Sequence, residues 1–259
     1  METVGRLSDG VMLLSGAATT AALALAIAYV SRGLFFARGQ TKLEVHSKLA
    51  ELVHNSLLAF TVFVLAMVLS DVRSNLGKAD DATLREAGTI ARLDRELAIT
   101  HGAEAEAARP KLRDYTDAVT SSEWSALGAP EPALSPSAEQ SLQALITGVR
   151  AVTATHPDSA PALGTLIDKL VDLRQGRLES ATKSVPHVFW WVISAFLLGA
   201  MVMNGRHPLD RTSCTLITLH MGAIGLVMAL ILIMDEPFRG ETSISPAPIS
   251  KALGSVKSH

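Results

Sequence analysis

The chain has 259 residues, of which 48% are hydrophobic and 19% charged, and its formal net charge is −2. This near-neutral charge gives no basic surface for nucleic acid, so we expect no nucleic-acid partner. The single cysteine excludes an intrachain disulfide. No P-loop, dinucleotide fingerprint, zinc-finger spacing or catalytic triad pattern occurs, so we expect no cofactor, no metal site and no enzymatic activity.

The apolar residues are concentrated at the two ends of the chain, where four runs are long enough to cross a bilayer as helices. The clearest is the last one, residues 213–234, which contains no Asp, Glu, Lys or Arg and stops at Asp235-Glu236-Pro237. Carboxylates are costly in hydrocarbon and proline ends helices, so the membrane segment has to finish there. The other predicted spans are residues 11–30, 52–70 and 187–204.

The first run, residues 11–30, admits two interpretations. Its Ala26-Ile27-Ala28 has the small-x-small form of a signal-peptide cleavage site. However, the preceding residues carry little positive charge, because Glu2 and Asp9 offset Arg6, and the run is long enough to span. We favour an uncleaved transmembrane helix.

Residues 71–185 form a polar segment between the second and third spans. Its apolar residues recur at helical spacing, and no stretch alternates as a strand would. The pattern predicts four helices, around Leu84–Ala98, Leu112–Val119, Leu142–Val152 and Leu163–Leu178. Pro110 is expected in the first turn of the second. The first and fourth adjoin spans, and we expect them to continue those spans out of the bilayer.

The predicted fold is therefore all-α: a four-helix transmembrane bundle with an α-helical extramembrane insert. Its segments are residues 1–70 with spans 1 and 2, residues 71–185 with the insert, and residues 186–240 with spans 3 and 4. Residues 241–259 are Ser- and Pro-rich, and we expect a flexible tail. The protein is expected in a cell (inner) membrane as a multi-pass protein.

Basic residues of the short loops set the expected orientation. The first connector and the last turn together hold six Lys or Arg, whereas the opposite side holds four: Arg6, Arg239, Lys251 and Lys257. The larger group belongs in the cytoplasm, so the insert and both termini are expected outside it.

Several short motifs follow one another in a recognisable order along residues 50–253. Glu86 lies in the first insert helix. Tyr115 is the last residue of the sequence Leu112-Arg-Asp-Tyr115, and Glu123 directly precedes Trp124. Arg174-x-x-Arg177 and Val185-Pro186 follow. The closing motif, Asp-x-Pro-Phe-x-Gly after the last span, comprises Asp235, Pro237, Phe238 and Gly240.

This order resembles the bacterial bestrophin-like family of membrane proteins. The resemblance implies four spans with a helical insert between the second and third, and no established reaction. By analogy with bestrophins, it also suggests a pentameric anion channel. The sequence has no acidic cluster like the calcium clasp of animal bestrophins, so calcium gating is not expected.

Four polar residues in or beside the spans are candidates for a pore or a polar layer. His54 and Asn55 enter the second span, Asn204 closes the third, and His220 lies about two turns into the fourth. One interpretation is a polar constriction or a proton-sensitive gate. The other is a set of interfacial or interhelical hydrogen bonds that hold the bundle together.

Other polar residues also have two interpretations. Glu51-x-x-His54 has the spacing of carboxylate-bridged metal bundles but occurs only once. Asp235 and Glu236 either attract cations to a pore mouth or end the helix in water. Glu123-Trp124 marks either a ligand groove or core.

Two functions follow from these observations. The protein is either a homo-oligomeric ion channel lined by the second span, with small inorganic ions and the lipid bilayer as partners, or a membrane scaffold or sensor whose insert binds a partner. A closed ring of copies around a polar stripe would favour the channel.

Overall fold

The computed structural model of the protein describes residues 8–36, 43–129 and 131–254. All regular secondary structure in these residues is helical, and four helices are long and apolar enough to cross a membrane. The all-α prediction with four candidate spans is confirmed.

The helices follow each other along the chain with short connections. Helix α1 (Asp9–Ser31) continues as a π-helical turn, Arg32–Phe36, and α3 (Ala103–Ala118) continues through the π-helical Val119–Glu123 into α4 (Trp124–Leu127). The remaining helices are α2 (Leu43–Ile99), α5 (Pro136–Thr155), α6 (Ala160–Thr182), α7 (His187–Asn204), α8 (Arg211–Met234) and α9 (Ala247–Ala252).

Two details of the expected helices need correction. Helix α2 does contain both the second span and the first insert helix, but α6 and α7 are separated by residues 183–186. Pro186 disfavours the helical conformation at Val185, which explains this break. Pro110 lies well inside α3, whose first residue is Ala103, and not in its first turn. The apolar pattern began at Leu112 and therefore missed the alanine-rich first turns.

The chain divides into two compact units. The span unit comprises the described parts of residues 1–73 and 184–235, and the insert unit those of residues 74–183 and 236–259. The C-terminal residues differ from the expected flexible tail, because Ile244, Ile249 and Ala252 are buried in the core of the insert unit. These apolar side chains anchor residues 241–254, and residues 255–259 lie outside the described part.

The span unit is held together by close packing between α1 and α8. A Cβ added at Gly225 would lie 2.5 Å from the backbone oxygen of Gly16 and 2.6 Å from Oγ1 of Thr20. Ala24 of α1 is fully buried in the same core as Met221 of α8. Small residues let helix backbones approach closely in membranes, where van der Waals contact replaces the hydrophobic driving force. The first apolar run therefore forms a helix that packs within this unit, and that it is not cleaved stays a prediction.

A matched pair of glycine substitutions tests this packing. Gly225→Ala should lower the free energy of unfolding by about 1–3 kcal/mol, because the new methyl group meets backbone that has to move. Gly222→Ala, one turn earlier on α8, should be tolerated, because its Cβ would lie 3.8 Å from the nearest atom, the oxygen of Ala17. Thermal unfolding in detergent measures both. Equal unfolding temperatures for the two variants would indicate that α1 does not pack on α8, as expected if the first run were cleaved.

Candidate functional site

A cavity of about 560 Å³ lies in the span unit where α2, α7, the turn after α7, and α8 meet. It contains three of the four predicted polar residues, His54, Asn204 and His220. The fourth, Asn55, is exposed and does not line the cavity. Consecutive residues of an α-helix point about 100° apart, so His54 and Asn55 lie on different faces of α2. That the four residues share one layer of the bundle stays a prediction.

Two buried polar atoms in this cavity have no hydrogen-bond partner among the described residues. His54 is 9% exposed and Asn204 is 5% exposed, and the unpaired atoms are His54 Nδ1 and Asn204 Nδ2. Burying a polar group without a partner is unfavourable, so such groups call for an explanation. The packing of the span unit therefore leaves these two buried polar atoms without hydrogen-bond partners among the described residues.

His207, in the turn between α7 and α8, adds a third imidazole to the cavity. Its Nε2 accepts a hydrogen bond from Nε of Arg206 at 3.0 Å, and its backbone oxygen accepts one from Nη1 of Arg32 at 2.6 Å. Burial, followed by the charge of Arg206, lowers the pKa of His207. Sequence reasoning missed His207, because the turn was interpreted only as a carrier of positive charge.

A second polar cluster lies in the core of the insert unit, and it consists of charges. Arg177 Nε lies 2.7 Å from Glu86 Oε2, and Arg177 Nη2 lies 2.6 Å from Glu123 Oε1. Arg174 Nη2 lies 2.6 Å from the other oxygen of Glu123. All four side chains are buried, and these two carboxylates face two guanidinium groups. Arg174 Nη1 also lies 2.6 Å from Oε2 of the exposed Glu139, and Arg177 Nη1 has no hydrogen-bond partner among the described residues. We call Glu86, Glu123, Arg174 and Arg177 the buried ion network.

Tyr115 and Trp124 complete the surroundings of this network. The Tyr115 hydroxyl donates a 2.7 Å hydrogen bond to Glu86 Oε1, and burial together with the negative charge of Glu86 raises the pKa of Tyr115 well above its ordinary value. The Trp124 ring centroid lies 5.1 Å from Cζ of Arg177, a cation–π distance. Both aromatic side chains are buried. Glu123-Trp124 is therefore part of the core and not an open ligand groove.

The comparison with protein families identifies the family of this chain. The family model described as the bestrophin-like domain matches residues 18–249. The chain belongs to the bestrophin-like family. Comparisons with curated proteins and with solved structures give no match. The resemblance inferred from the order of the motifs is thereby confirmed.

The closing motif of this bestrophin-like chain contributes to both units. In the span unit, the Asp235 carboxylate accepts a hydrogen bond from the backbone N–H of Val185 at 3.1 Å, so this residue does more than end a helix in water. In the insert unit, Phe238 packs edge-on against Trp124 with ring centroids 5.2 Å apart.

The backbone after this aromatic contact makes a tight turn. Pro237 is buried, and its oxygen accepts a hydrogen bond from the N–H of Ile244 at 2.9 Å. Gly240 adopts φ +94°, a conformation that favours glycine. Trp124 Nε1 donates to the oxygen of Ile244 at 3.1 Å. The motif thus carries the chain back over the core of the insert unit. Glu236 is exposed and pairs with Arg239.

Sequence reasoning selected Glu86, Tyr115 and Glu123 only as motif residues and did not pair them with Arg174 and Arg177. A signal for this pairing was present in the helical spacing. Glu86 lies four residues before Ile90, and Arg174 lies four residues after Leu170, so these charges lie on the apolar stripes of their helices. A charge on a buried stripe requires a buried partner of opposite sign.

Breaking the network from one side should destabilise the protein strongly. Arg177→Met removes the cation between Glu86 and Glu123 and leaves buried carboxylates without their partner, which should cost about 3–5 kcal/mol of unfolding free energy. Arg85→Met is the matched control. It removes an exposed partner of Asp81 and should cost less than about 1 kcal/mol.

Thermal unfolding followed by circular dichroism measures both variants. A loss for Arg177→Met no larger than that for Arg85→Met would contradict a desolvated network.

Proposed function

We propose that this bestrophin-like membrane protein is the subunit of an oligomeric ion channel whose pore is lined by the second span. The observation that carries the proposal is the division of α2 into two faces. One face packs within the span unit and includes the buried His54, Thr61, Leu65 and Val68. The opposite face remains exposed in the single subunit and is open to lipid, to another copy or to a pore.

The exposed face carries small and polar side chains along one line. Asn55 and Ser70 lie near its two ends, with Ala59, Val62 and Ala66 between them. Their spacing of three or four residues keeps them on one side of the helix. Small side chains leave space along the axis of a ring of helices, and a polar group near each end favours entry of water and ions. This pattern supports a pore with an apolar middle.

Basic residues support a preference for anions. Arg32 and Arg206 lie together with His207 at one end of the span unit. Positive charge near a pore mouth raises the local concentration of anions. The two other basic residues of the connector before α2, Arg38 and Lys42, lie outside the described residues.

Conductance measurements on the reconstituted full-length protein test the channel. In planar bilayers with a KCl gradient, the wild-type protein should give currents whose reversal potential lies on the chloride side. Asn55→Lys should raise the chloride-to-potassium permeability ratio and Asn55→Glu should lower it, because a ring of these charges would face the permeating ion. The same two substitutions at Gln143, an exposed amide of the insert unit, are the matched controls and should leave the ratio unchanged.

Two outcomes would contradict this proposal. An absence of current from a correctly folded protein would favour the alternative function, a membrane scaffold or sensor whose insert binds a partner. Currents that neither charge at position 55 alters would place the pore away from this face of α2.

We also propose that the insert and both termini lie outside the cytoplasm. The hydrogen bond from Arg32 to His207 supports the placement of the basic connector and the basic turn on one side. Cys214, the only cysteine, lies near this end of α8.

Labelling of intact cells with a membrane-impermeant maleimide tests this orientation. Cys214 should react only after the cells are permeabilised, whereas Asp158→Cys in the insert, made in a Cys214→Ser background, should react directly. The reverse pattern would invert the orientation.

A further inference from the structure

The polar cavity of the span unit has hydrogen-bonding groups that the protein itself does not use. Asn204 Nδ2 carries two hydrogens and has no acceptor among the described residues, although the side chain is 5% exposed. His54 Nδ1 is also unpaired at 9% exposure. Both residues line the cavity. A ligand that accepts hydrogen bonds would satisfy the Asn204 amide, whereas the His54 ring already donates its N–H to the backbone of Ala200.

The tautomer of His207 adds a further donor. Because Arg206 donates its Nε–H to Nε2 of His207, that nitrogen acts as the acceptor and the ring proton of the neutral imidazole lies on Nδ1. His207 can therefore donate Nδ1–H. The hydroxyl of Ser213, which also lines the cavity, is already hydrogen-bonded to the carboxylate of Asp210. Asn204 Nδ2 and His207 Nδ1 are thus the donors that suit an anion.

The charges around the cavity are of both signs. No Asp or Glu is among the described residues that line it, and the guanidinium group of Arg206 lies beside His207. Two carboxylates lie near its rim. Glu51 is close enough to influence His207, and Asp210 accepts a hydrogen bond from the N–H of Ser213. A metal is not favoured, because no group of three or more His, Cys, Asp or Glu among the described residues is placed to hold one.

The other walls of the cavity are apolar. They are formed by Leu58 of α2 and by Leu216, Ile217, Leu219 and Met221 of α8. A free inorganic anion would occupy only a small part of about 560 Å³ and would leave these side chains facing water. An anionic headgroup with an attached acyl chain would satisfy the donors and cover the apolar wall at the same time. Basic pockets between transmembrane helices bind lipid headgroups, and here Arg206 lies beside His207 of the cavity wall.

We propose that this cavity binds the phosphate group of an anionic membrane lipid. The phosphate oxygens accept hydrogen bonds from Asn204 and His207, and an acyl chain lies along Leu58 and the leucine side chains of α8. The site is formed within one subunit and does not depend on ion conduction. Its role is to complete the packing of α2, α7 and α8 at one end of the span unit.

The test uses the full-length protein, stripped of lipid in detergent, and measures its thermal unfolding. Dioleoylphosphatidylglycerol, an anionic lipid, should raise the unfolding temperature of the wild-type protein by about 3 °C or more. Dioleoylphosphatidylcholine, which has a phosphate but no net charge, and inorganic phosphate should each raise it less.

The decisive variant is the double substitution His54→Phe with Asn204→Leu. It replaces the two unpaired polar groups with apolar groups of similar shape, a change that is tolerated or stabilising when no ligand is bound. The variant should bind the anionic lipid roughly tenfold more weakly than the wild type, because it lacks the amide donor of Asn204. His187→Phe makes the same aromatic exchange at the other end of α7, outside the cavity lining, and should retain the wild-type response.

A second variant keeps the test decisive if the double variant does not fold. Asn204→Asp preserves the size and polarity of the side chain but places a negative charge beside the phosphate, and it should also lose the response to the anionic lipid.

Three results would overturn the proposal. Equal responses of the wild type and both cavity variants would place the lipid elsewhere on the surface. Equal responses to the anionic and zwitterionic lipids would remove the charge selectivity. A cavity-dependent response to inorganic phosphate alone, with none to the lipid, would make the site one for a free anion.

Discussion

Four charges are buried in the core of the insert unit, and the helices that carry them have to be arranged so that each charge meets its opposite. Glu86 belongs to α2, Glu123 to the π-helical turn before α4, and the two arginines to α6. Desolvation makes any of these charges very costly alone, whereas the paired set is sustainable because charge-assisted hydrogen bonds replace water. The register of α6 against α2 is therefore constrained, since a shift by one residue would separate Arg177 from both carboxylates.

This constraint explains the form of the surrounding structure. Tyr115 is buried because its hydroxyl has Glu86 as an acceptor, and Trp124 covers Arg177 while its indole N–H reaches the backbone of Ile244. The closing motif supplies Phe238 to the edge of Trp124. The motif residues of the insert unit therefore form or enclose the buried ion network. The cavity with unpaired polar atoms lies in the span unit.

The helices of the span unit are packed tightly in one place and loosely in another. Helices α1 and α8 approach so closely at Gly16 and Gly225 that an added methyl group has no space. By contrast, α2 leaves one face uncovered, and the cavity beside its other face contains unpaired polar atoms on His54 and Asn204. Tight packing supplies a rigid frame, and the unsatisfied groups indicate where something outside the single chain is needed. The proposed ring of copies would cover the exposed face of α2, and the proposed lipid would fill the cavity.

Much of the fold was predictable from the sequence. Long uncharged runs predicted the spans because hydrocarbon admits little else, and helical spacing of apolar residues predicted the insert helices. The pairing of Glu86 with Arg177 was not predicted, because 91 positions separate them and only the tertiary fold brings them together. The separation of His54 from Asn55 followed from helical geometry once the buried face of α2 was known. Residues 241–254 looked disordered in composition, but a few apolar side chains sufficed to anchor them.

The central claim, that copies of this chain surround a pore lined by α2, depends on stoichiometry more than on any other property. Native mass spectrometry of the purified, detergent-solubilised protein measures it directly, and the same measurement in lipid nanodiscs controls for loss of subunits in detergent. The account predicts a closed ring of at least four copies, as in the pentamers suggested by analogy with bestrophins. A monomer or dimer in both media would contradict it, because such an assembly cannot enclose an axis with the exposed face of α2.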